Sequence, residues 1–465
     1  MSMIESYGAA KTVTGSAHLL RLDSGQTLMI DCGMFQGKNE DKNYLPFDFD
    51  PSEIDFLLFT HAHLDHVGRA PLLYKNGFRG EIITTRSTLE LAEIVMLDSA
   101  HLMQEVHHTS FKKAQRQGRE KKVKPALYTA VNVTSLLNLK KQYVQYGESL
   151  RLAKDLNVTF YNAGHILGSA FIEITYVDDK KEKTLVFSGD LGNKNDFVLP
   201  FPAQAKVAND LYIESTYGDR EHKGIKPSVK EFKKVVLKTL KQGGNVLIPS
   251  FAIERTQEIL CLLKQMYKSG ELPECSIFLD SPMAIRATRV YNKYVDELSL
   301  MCQEYEKEDG SIFDFEFLEF SKTPMASKKI NEIKSGAIII SGSGMCNGGR
   351  ILHHFKHRLW NKRNAVVFVG YQAKGTLGRK IVEGAKWIEI YNEKIKIKAS
   401  IHTINGFSAH ADQTELIKWM ENFEKLGHIY LIHGEEDKQK LFQKAIKQKL
   451  SKKSHIVKFK EEIYI

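Results

Sequence analysis

Within the six residues His61-Ala62-His63-Leu64-Asp65-His66 lie four side chains able to donate nitrogen or oxygen to a metal. They are spaced too tightly for one tetrahedral ion to use all four. Two adjacent ions could divide them, with His61 and His63 on one and Asp65 and His66 on the other. Imidazole and carboxylate together suit zinc, and no thiolate is needed. The bland alternative is a loop that happens to be rich in histidine, and it must account for four donors at H-x-H-x-D-H spacing. The preceding residues 54–60 include five apolar side chains and read as a short buried strand. The cluster therefore falls where a strand ends and a loop opens, chemistry held on a rigid support.

A pair of ions needs more ligands, and other strand-like runs end in candidates. Residues 158–163 run into Gly164-His165, with a second strand at 169–177. Residues 183–188 run into Gly189-Asp190, and 428–432 into His433-Gly434. Each candidate stands beside a glycine, which lets backbone approach a metal closely. Taken singly, His165, Asp190 or His433 would read as a satisfied turn residue; their recurrence in one pattern points to ligands. Asp31, after residues 27–30 and before Cys32-Gly33, is a fourth instance. It is better placed to hold a ligand histidine in one tautomer.

In this order, Asp31, His61-x-His63-x-Asp65-His66, His165 and Asp190 resemble the signature of the metallo-β-lactamase superfamily. Three later strings narrow the resemblance: Glu214 in Glu214-Ser215-Thr216-Tyr217-Gly218, His410 in Phe407-Ser408-Ala409-His410-Ala411-Asp412, and His433 in Ile432-His433-Gly434-Glu435. They are similar to the motifs of the β-CASP subfamily. That group comprises nucleases related to the RNA cleavage and polyadenylation endonuclease and to bacterial and archaeal RNases. The resemblance extends from Tyr7 to the last helix. His433 occupies a position that is histidine in RNA-directed members and usually valine in DNA-repair members.

The resemblance implies an α/β fold: a four-layered αββα sandwich carrying metals along one sheet edge, with an inserted β-CASP domain. It implies two zinc ions per chain, one on His61, His63 and His165, the other on Asp65, His66 and His433, with Asp190 bridging. It makes Asp65 and Asp190 part of the catalytic apparatus, His410 the general acid, and Glu214 the carboxylate that orients and charges that imidazole. Water would be the nucleophile, leaving 5′-phosphate and 3′-hydroxyl ends.

The pattern along the chain agrees with an insertion. Residues 1–200 are strand-rich, with short helices after His66 and around 86–104, until Pro200-Phe201-Pro202 breaks the rhythm. Residues 201–385 alternate strand, loop and helix, with strands at 211–213, 245–249, 276–279, 337–340 and 365–369 and a helix from Glu254. Such alternation argues for a parallel sheet. Residues 386–465 return to amphipathic strands, bring in His410 and His433, and complete the first domain. In the insert, Ser250 and Arg255 lie between a strand and a helix start, where exposed N–H groups and a guanidinium could hold an oxyanion. Ser343 and Lys374 lie in two further glycine-containing loops. Each loop taken alone reads as a tight turn; the resemblance raises Arg255, Ser343 and Lys374 to candidate contacts with RNA phosphates. His353 and His354 fall inside a helix expected at 351–360 and read as packing or solvated residues.

Composition bounds the rest. A chain of 465 residues holds two domains or more. Its net charge of +10 points to an anionic partner. The densest basic stretch, residues 112–124, reads as a solvated helix and loop. The lysine-rich residues 438–453 carry a helical stripe of Leu441, Phe442, Ala445, Ile446 and Leu450. No apolar run approaches the ~18 residues that span a bilayer, and the N-terminus lacks the charge and apolar run of a secretory signal. Five scattered cysteines argue against a disulfide framework, so a cytoplasmic setting is expected.

The expected function is RNA hydrolysis, single-stranded RNA being the expected partner. Endonucleolytic cutting is the first reading and 5′→3′ trimming the second. The chain shows no counterpart of the extra C-terminal domain typical of RNase J or of the KH module of archaeal relatives, which is read as favouring the endonuclease and recognition by shape and backbone. A DNA nuclease is disfavoured by His433. A small-molecule metallo-hydrolase would need neither the insert nor Glu214 and His410. A silent RNA-binding subunit is disfavoured because every ligand position is filled. Homodimers occur among relatives of the resembled family, which leaves a dimer open.

Overall fold

The computed structural model describes residues 1–119, 122–194 and 197–465. It divides into two compact units, one of Met1–Lys194, Phe201–Glu221 and His410–Ile465, the other of Asn195–Pro200 and His222–Ala409.

Alternation of apolar residues builds the first unit. In the strand Lys181–Phe187, Leu185 and Phe187 point to one side and Val186 to the other, all buried. Because side chains alternate with a period of two, such a strand serves two cores at once. The inner core joins two seven-stranded sheets. Leu20, Leu28, Ile30, Leu58 and Ile83 come from one sheet, and Val158, Phe160, Ile172, Leu185 and Ile432 from the other. The outer core of the second sheet receives Leu416, Ile417 and Met420 from the helix Gln413–Glu421, and Phe442, Ala445 and Ile446 from the helix Glu436–Leu450. Of the stripe anticipated on that last helix, Leu441 alone faces water, 48% exposed. On the first sheet, Leu57 and Ile82 are buried on the face opposite Leu58 and Ile83. The helices Ala70–Lys75, Arg86–Gln115 and Ala130–Leu137 supply the remaining layer of an αββα sandwich.

The helix from Arg86 runs to Gln115, longer than the expected 86–104, and starts from Thr85, whose hydroxyl accepts the N–H of Thr88. The basic residues Lys112, Lys113, Arg116 and Arg119 near its end are exposed; residues 120 and 121 of that stretch lie outside the described residues.

The second unit is a six-stranded sheet in which every pairing is parallel. Its order is Leu318–Phe320, Ser276–Leu279, Ala337–Ser341, Val246–Pro249, Ala365–Phe368, Ser400–Thr403. The unit boundaries differ from 200/201 and 385/386 for two reasons of strand pairing. Val207–Glu214 lies between Lys181–Phe187 and Lys425–Ile432, parallel to both, so residues 201–221 stay with the first unit. Ser400–Thr403 completes the parallel sheet beside Ala365–Phe368. The hairpin Trp387–Ile390/Glu393–Lys396 buries Ile388, Ile390 and Ile395 in the core that contains Ile339 and Phe368. The second unit therefore continues to Ala409. Among the described residues no helix is long and apolar enough to cross a membrane.

Candidate metal centre

Four strand ends in the first unit turn sharply before the chain moves on, and each turn delivers a residue of the site. Asp31 and His433 themselves adopt positive φ, at 58° and 48°, while Gly164 and Gly189, at 65° and 52°, precede His165 and Asp190. A left-handed residue breaks the strand and swings the next side chain out of its register. Two glycines are required by close approach. A Cβ at Gly33 would lie 1.5 Å from the Asp65 carbonyl oxygen, and one at Gly192 1.8 Å from the Gly164 carbonyl.

Two groups of donors carry the histidine cluster, and Asp190, Glu214 and His433 form a third that shares one residue with each. In one, the donor atoms of His61, His63, His165 and Asp190 all lie within 4.8 Å of one another; in the other, those of Asp65, His66 and His433 do. His63 Nδ1 is 3.1 Å from both His61 Nε2 and His165 Nε2. Nitrogens about 2.0–2.1 Å from one tetrahedral zinc stand at separations of this order. His66 Nε2 and His433 Nε2 face each other at 3.3 Å, and Asp65 Oδ2 is 3.6 Å from His433 Nε2. Asp190 Oδ2 lies 3.4 Å from His61 Nε2 and 3.5 Å from His66 Nε2, one nitrogen from each group. Its Oδ1 is buried and makes no hydrogen bond, with His433 Nδ1 3.4 Å away. An anionic oxygen left in this way inside a protein calls for a cation. Burial pushes the imidazoles of His61 and His63 down, His63 to about 4, so both are neutral lone-pair donors at neutral pH. The donor set fits a metal centre.

Asp31 sits beside one of the donor histidines. Its Oδ2 lies 2.6 Å from His66 Nδ1, which turns the other ring nitrogen, Nε2, toward the donor group. Two residues not singled out from the sequence complete the support. Thr60 donates its N–H to Asp31 Oδ1 and its hydroxyl to Asp31 Oδ2, both at 2.8 Å, and that hydroxyl is 3.0 Å from His61 Nδ1. The Thr216 hydroxyl is 3.1 Å from His433 Nδ1. Thr60 precedes the first ligand and Thr216 follows Glu214 by two, so adjacency to a motif was the available signal.

His410 lies next to the donor groups, its Nδ1 3.9 Å from Asp190 Oδ2, but belongs to neither. Ala411 N–H bonds to the Leu191 carbonyl, and His410 forms a bridge with Gly192, which fixes the segment beside Asp190. The imidazole Nδ1 is 3.2 Å from Glu214 Oε1, and its ring lies 4.5 Å from that of His165. Glu214 is fully buried; its Oε1 also accepts the Leu191 N–H at 2.7 Å. Burial pulls His410 down, but the Glu214 charge and hydrogen bond, helped by Asp190, outweigh it and raise the pKa to about 9. The ring edge remains partly open to solvent.

The loop residues of the second unit are placed differently from their expectation. Arg255 is buried and its guanidinium is paired with Glu258, which removes it from any exposed phosphate grip. The sequence pattern could not show this, because Glu258 lies one helical turn further on and the pair forms only when both are covered. Ser250 is buried and accepts from the Thr256 hydroxyl. The Ser343 hydroxyl donates to the Gly348 carbonyl at 3.2 Å. Lys374 alone of the four is exposed. His354 is buried against Asp280 at 2.7 Å, and His353 stacks on Tyr391.

Comparison with known proteins adds three family matches. Residues 11–83 match the metallo-beta-lactamase superfamily, 256–381 the Beta-Casp domain, and 394–457 a Zn-dependent metallo-hydrolase RNA specificity domain. The chain is 43% identical over 436 residues to ribonuclease TTHA0252 of Thermus thermophilus, covering 94% of each. It is 31% identical to an RNase J-like protein of Methanocaldococcus jannaschii, covering 94% of this chain and 93% of that one. It is 30% identical to the transcription termination factor FttA of Methanosarcina mazei, covering 93% and 67%. A solved Enterococcus faecalis protein of unknown function shares the fold, with a TM-score of 0.57 and 10% identity over all of both chains.

Proposed function

The chain belongs to the β-CASP ribonuclease family of the metallo-β-lactamase superfamily, and on that premise we propose that its two donor groups hold a zinc pair which cuts RNA endonucleolytically. That it is a hydrolytic ribonuclease follows from the family. The zinc-pair part of that reading rests on one observation above the rest, the shared position of Asp190 Oδ2 near a nitrogen of each donor group.

A zinc pair, when bound, lowers the pKa of water at the site and offsets negative charge on the phosphoryl group. The chain's own residues supply the remainder. His61, His63 and His165 would hold one ion and Asp65, His66 and His433 the other, with Asp190 placed next to both groups. Asp31 and Thr60 keep the His66 and His61 rings turned inward. His410, charged through Glu214, donates a proton to the leaving 3′-oxygen, a step worth roughly 10²–10⁴ in rate. The ends left are a 5′-phosphate and a 3′-hydroxyl. Single-stranded RNA is the substrate form this reading takes, and Lys374 is the phosphate contact it retains. The five free cysteines suit the cytoplasmic setting that belongs to the same proposal.

The zinc-loaded protein is to be given circular RNA and 5′-labelled linear RNA side by side. Linearisation of the circle with new 5′-phosphate ends is the expected result. A circle left intact while the linear strand loses nucleotides from its 5′ end would replace this reading with the 5′→3′ exonuclease.

A further inference from the structure

One exposed aromatic ring in the second unit is held by its surroundings in a way that the hydrolytic site does not use. Phe251 follows the strand Val246–Pro249 and is 40% exposed. A Cβ at Gly344 would stand 2.8 Å from its Cδ2, and one at Gly370 3.3 Å from its Cε2. The ring thus rests against backbone at two positions where a side chain would displace it. Gln372, buried, ties those two loops together by donating to the Gly344 carbonyl at 2.9 Å and the Gly370 carbonyl at 3.1 Å. The next residue after Gly370 is Tyr371, 53% exposed, and three further on is the exposed Lys374.

The location carries as much weight as the exposure. Gly344 follows the strand Ala337–Ser341 and Gly370 follows Ala365–Phe368, so Phe251 lies across the carboxyl ends of three neighbouring strands of a parallel sheet. From Val246–Pro249 the chain passes to Ser276–Leu279 on one side, and from the adjacent Ala337–Ser341 it passes to Ala365–Phe368 on the other. Connections that leave neighbouring strands in opposite directions put their helices on opposite faces and open a crevice where ligands bind. A ring covered on one face at Gly344 and along one edge at Gly370, yet 40% exposed, in loops that also carry the exposed Tyr371 and Lys374, suits a flat aromatic ligand on an anionic chain. Base-on-ring stacking is how unpaired nucleotides are held without sequence readout.

We propose that Phe251, with Tyr371 and Lys374 of the adjoining loop, forms a stacking subsite for an unpaired base of the RNA substrate. This rests on the ribonuclease reading and extends it to a site on the second unit.

The test is equilibrium binding of the zinc-loaded protein to a short single-stranded phosphorothioate RNA, slow to hydrolyse, and to the same strand built of abasic residues. Phe251→Ala should weaken binding of the base-bearing strand by roughly 5–150-fold. Phe251→Leu keeps apolar volume without a π face and should lose most of the same factor, whereas Phe251→Trp should keep it. On the abasic strand wild type and Phe251→Ala should bind alike. Leu binding as well as Phe, or Phe251→Ala losing as much on the abasic strand, would overturn the subsite even if the alanine variant proved poorly folded. Wild-type protein that cuts RNA yet shows no dependence on bases defeats the subsite alone; wild-type protein that neither binds nor cuts RNA defeats the ribonuclease reading.

Discussion

His410 and His433 have the same side chain and rings 6.2 Å apart, yet their surroundings assign them different work. His433 Nε2 points among donors, whereas His410 Nδ1 points to a buried carboxylate. His433→Ala should therefore lose zinc along with activity, while His410→Ala keeps both ions and slows cleavage by ~10²–10⁴. RNA with a 3′-bridging sulfur at the scissile position needs no proton on its leaving group. It should rescue His410→Ala and not His433→Ala; failure to rescue, or a zinc ion lost from His410→Ala, would remove the acid role. The Glu214 contact also sets a pH dependence. An acid must be protonated to act, so activity falls as pH rises through its pKa. Glu214 raises the His410 pKa to about 9 without metal, and bound dications would lower it. Glu214→Gln removes the raising charge, so the alkaline limb of the rate profile should move to lower pH, measured with zinc content checked. Asp31→Ala should weaken zinc binding on the order of 10–100-fold, read by competition with a chelating dye, because the His66 ring is freed rather than lost.

At the scale of elements, backbone contacts that admit no side chain matter as much as ligands. Gly33 packs against the Asp65 carbonyl, and its own N–H donates to the Ser16 carbonyl at 2.8 Å. Gly33→Ala would push the turn that carries Asp65 and His66, so zinc stoichiometry should fall although no donor has been removed. Full zinc content in that variant would show that the turn can yield. In the second unit, Arg255 begins the helix Arg255–Lys268 and is paired with Glu258 inside it. Breaking a buried pair by removing one partner costs about 3–5 kcal/mol. Arg255→Ala is therefore expected to lower the denaturation midpoint, with the salt dependence of RNA binding unchanged. Lys374→Ala should do the reverse, flattening that dependence by roughly 0.7 on a single-strand log–log plot with stability intact.

Over the whole molecule, the donors come from segments spread from His61 to His433, so bound metal would tie together segments far apart in sequence. A ligand that binds only the folded state stabilises it, by about 4 kcal/mol at a thousandfold excess over its dissociation constant. Chelation should lower the melting temperature, and Asp190→Ala should lower both metal occupancies because its carboxylate faces both donor groups. Melting that is unmoved after zinc has demonstrably been removed would refute the structural part of that claim.

Much of this was legible along the chain because it is local. The donor spacing in residues 61–66, the strand-end positions of Asp31, His165, Asp190 and His433, and the alternation of strand and helix in the second unit follow from periodicity and turn chemistry within short windows. The strand Val207–Glu214 was visible only in part, at 211–213, and its partners Lys181–Phe187 and Lys425–Ile432 are far apart in sequence, so no window encodes where the units divide. Thr60 and Thr216 act through distances between side chains, which residue order does not contain. Arg255 shows the difference most directly. Its type and its place before a helix suit a phosphate, but burial beside Glu258 turns the same guanidinium into a structural ion pair. The amino-acid order determined which groups are available and how they are spaced along each element. Tertiary packing decided which of them meet, and which face water, because desolvation is a property of the assembled fold and not of the residue.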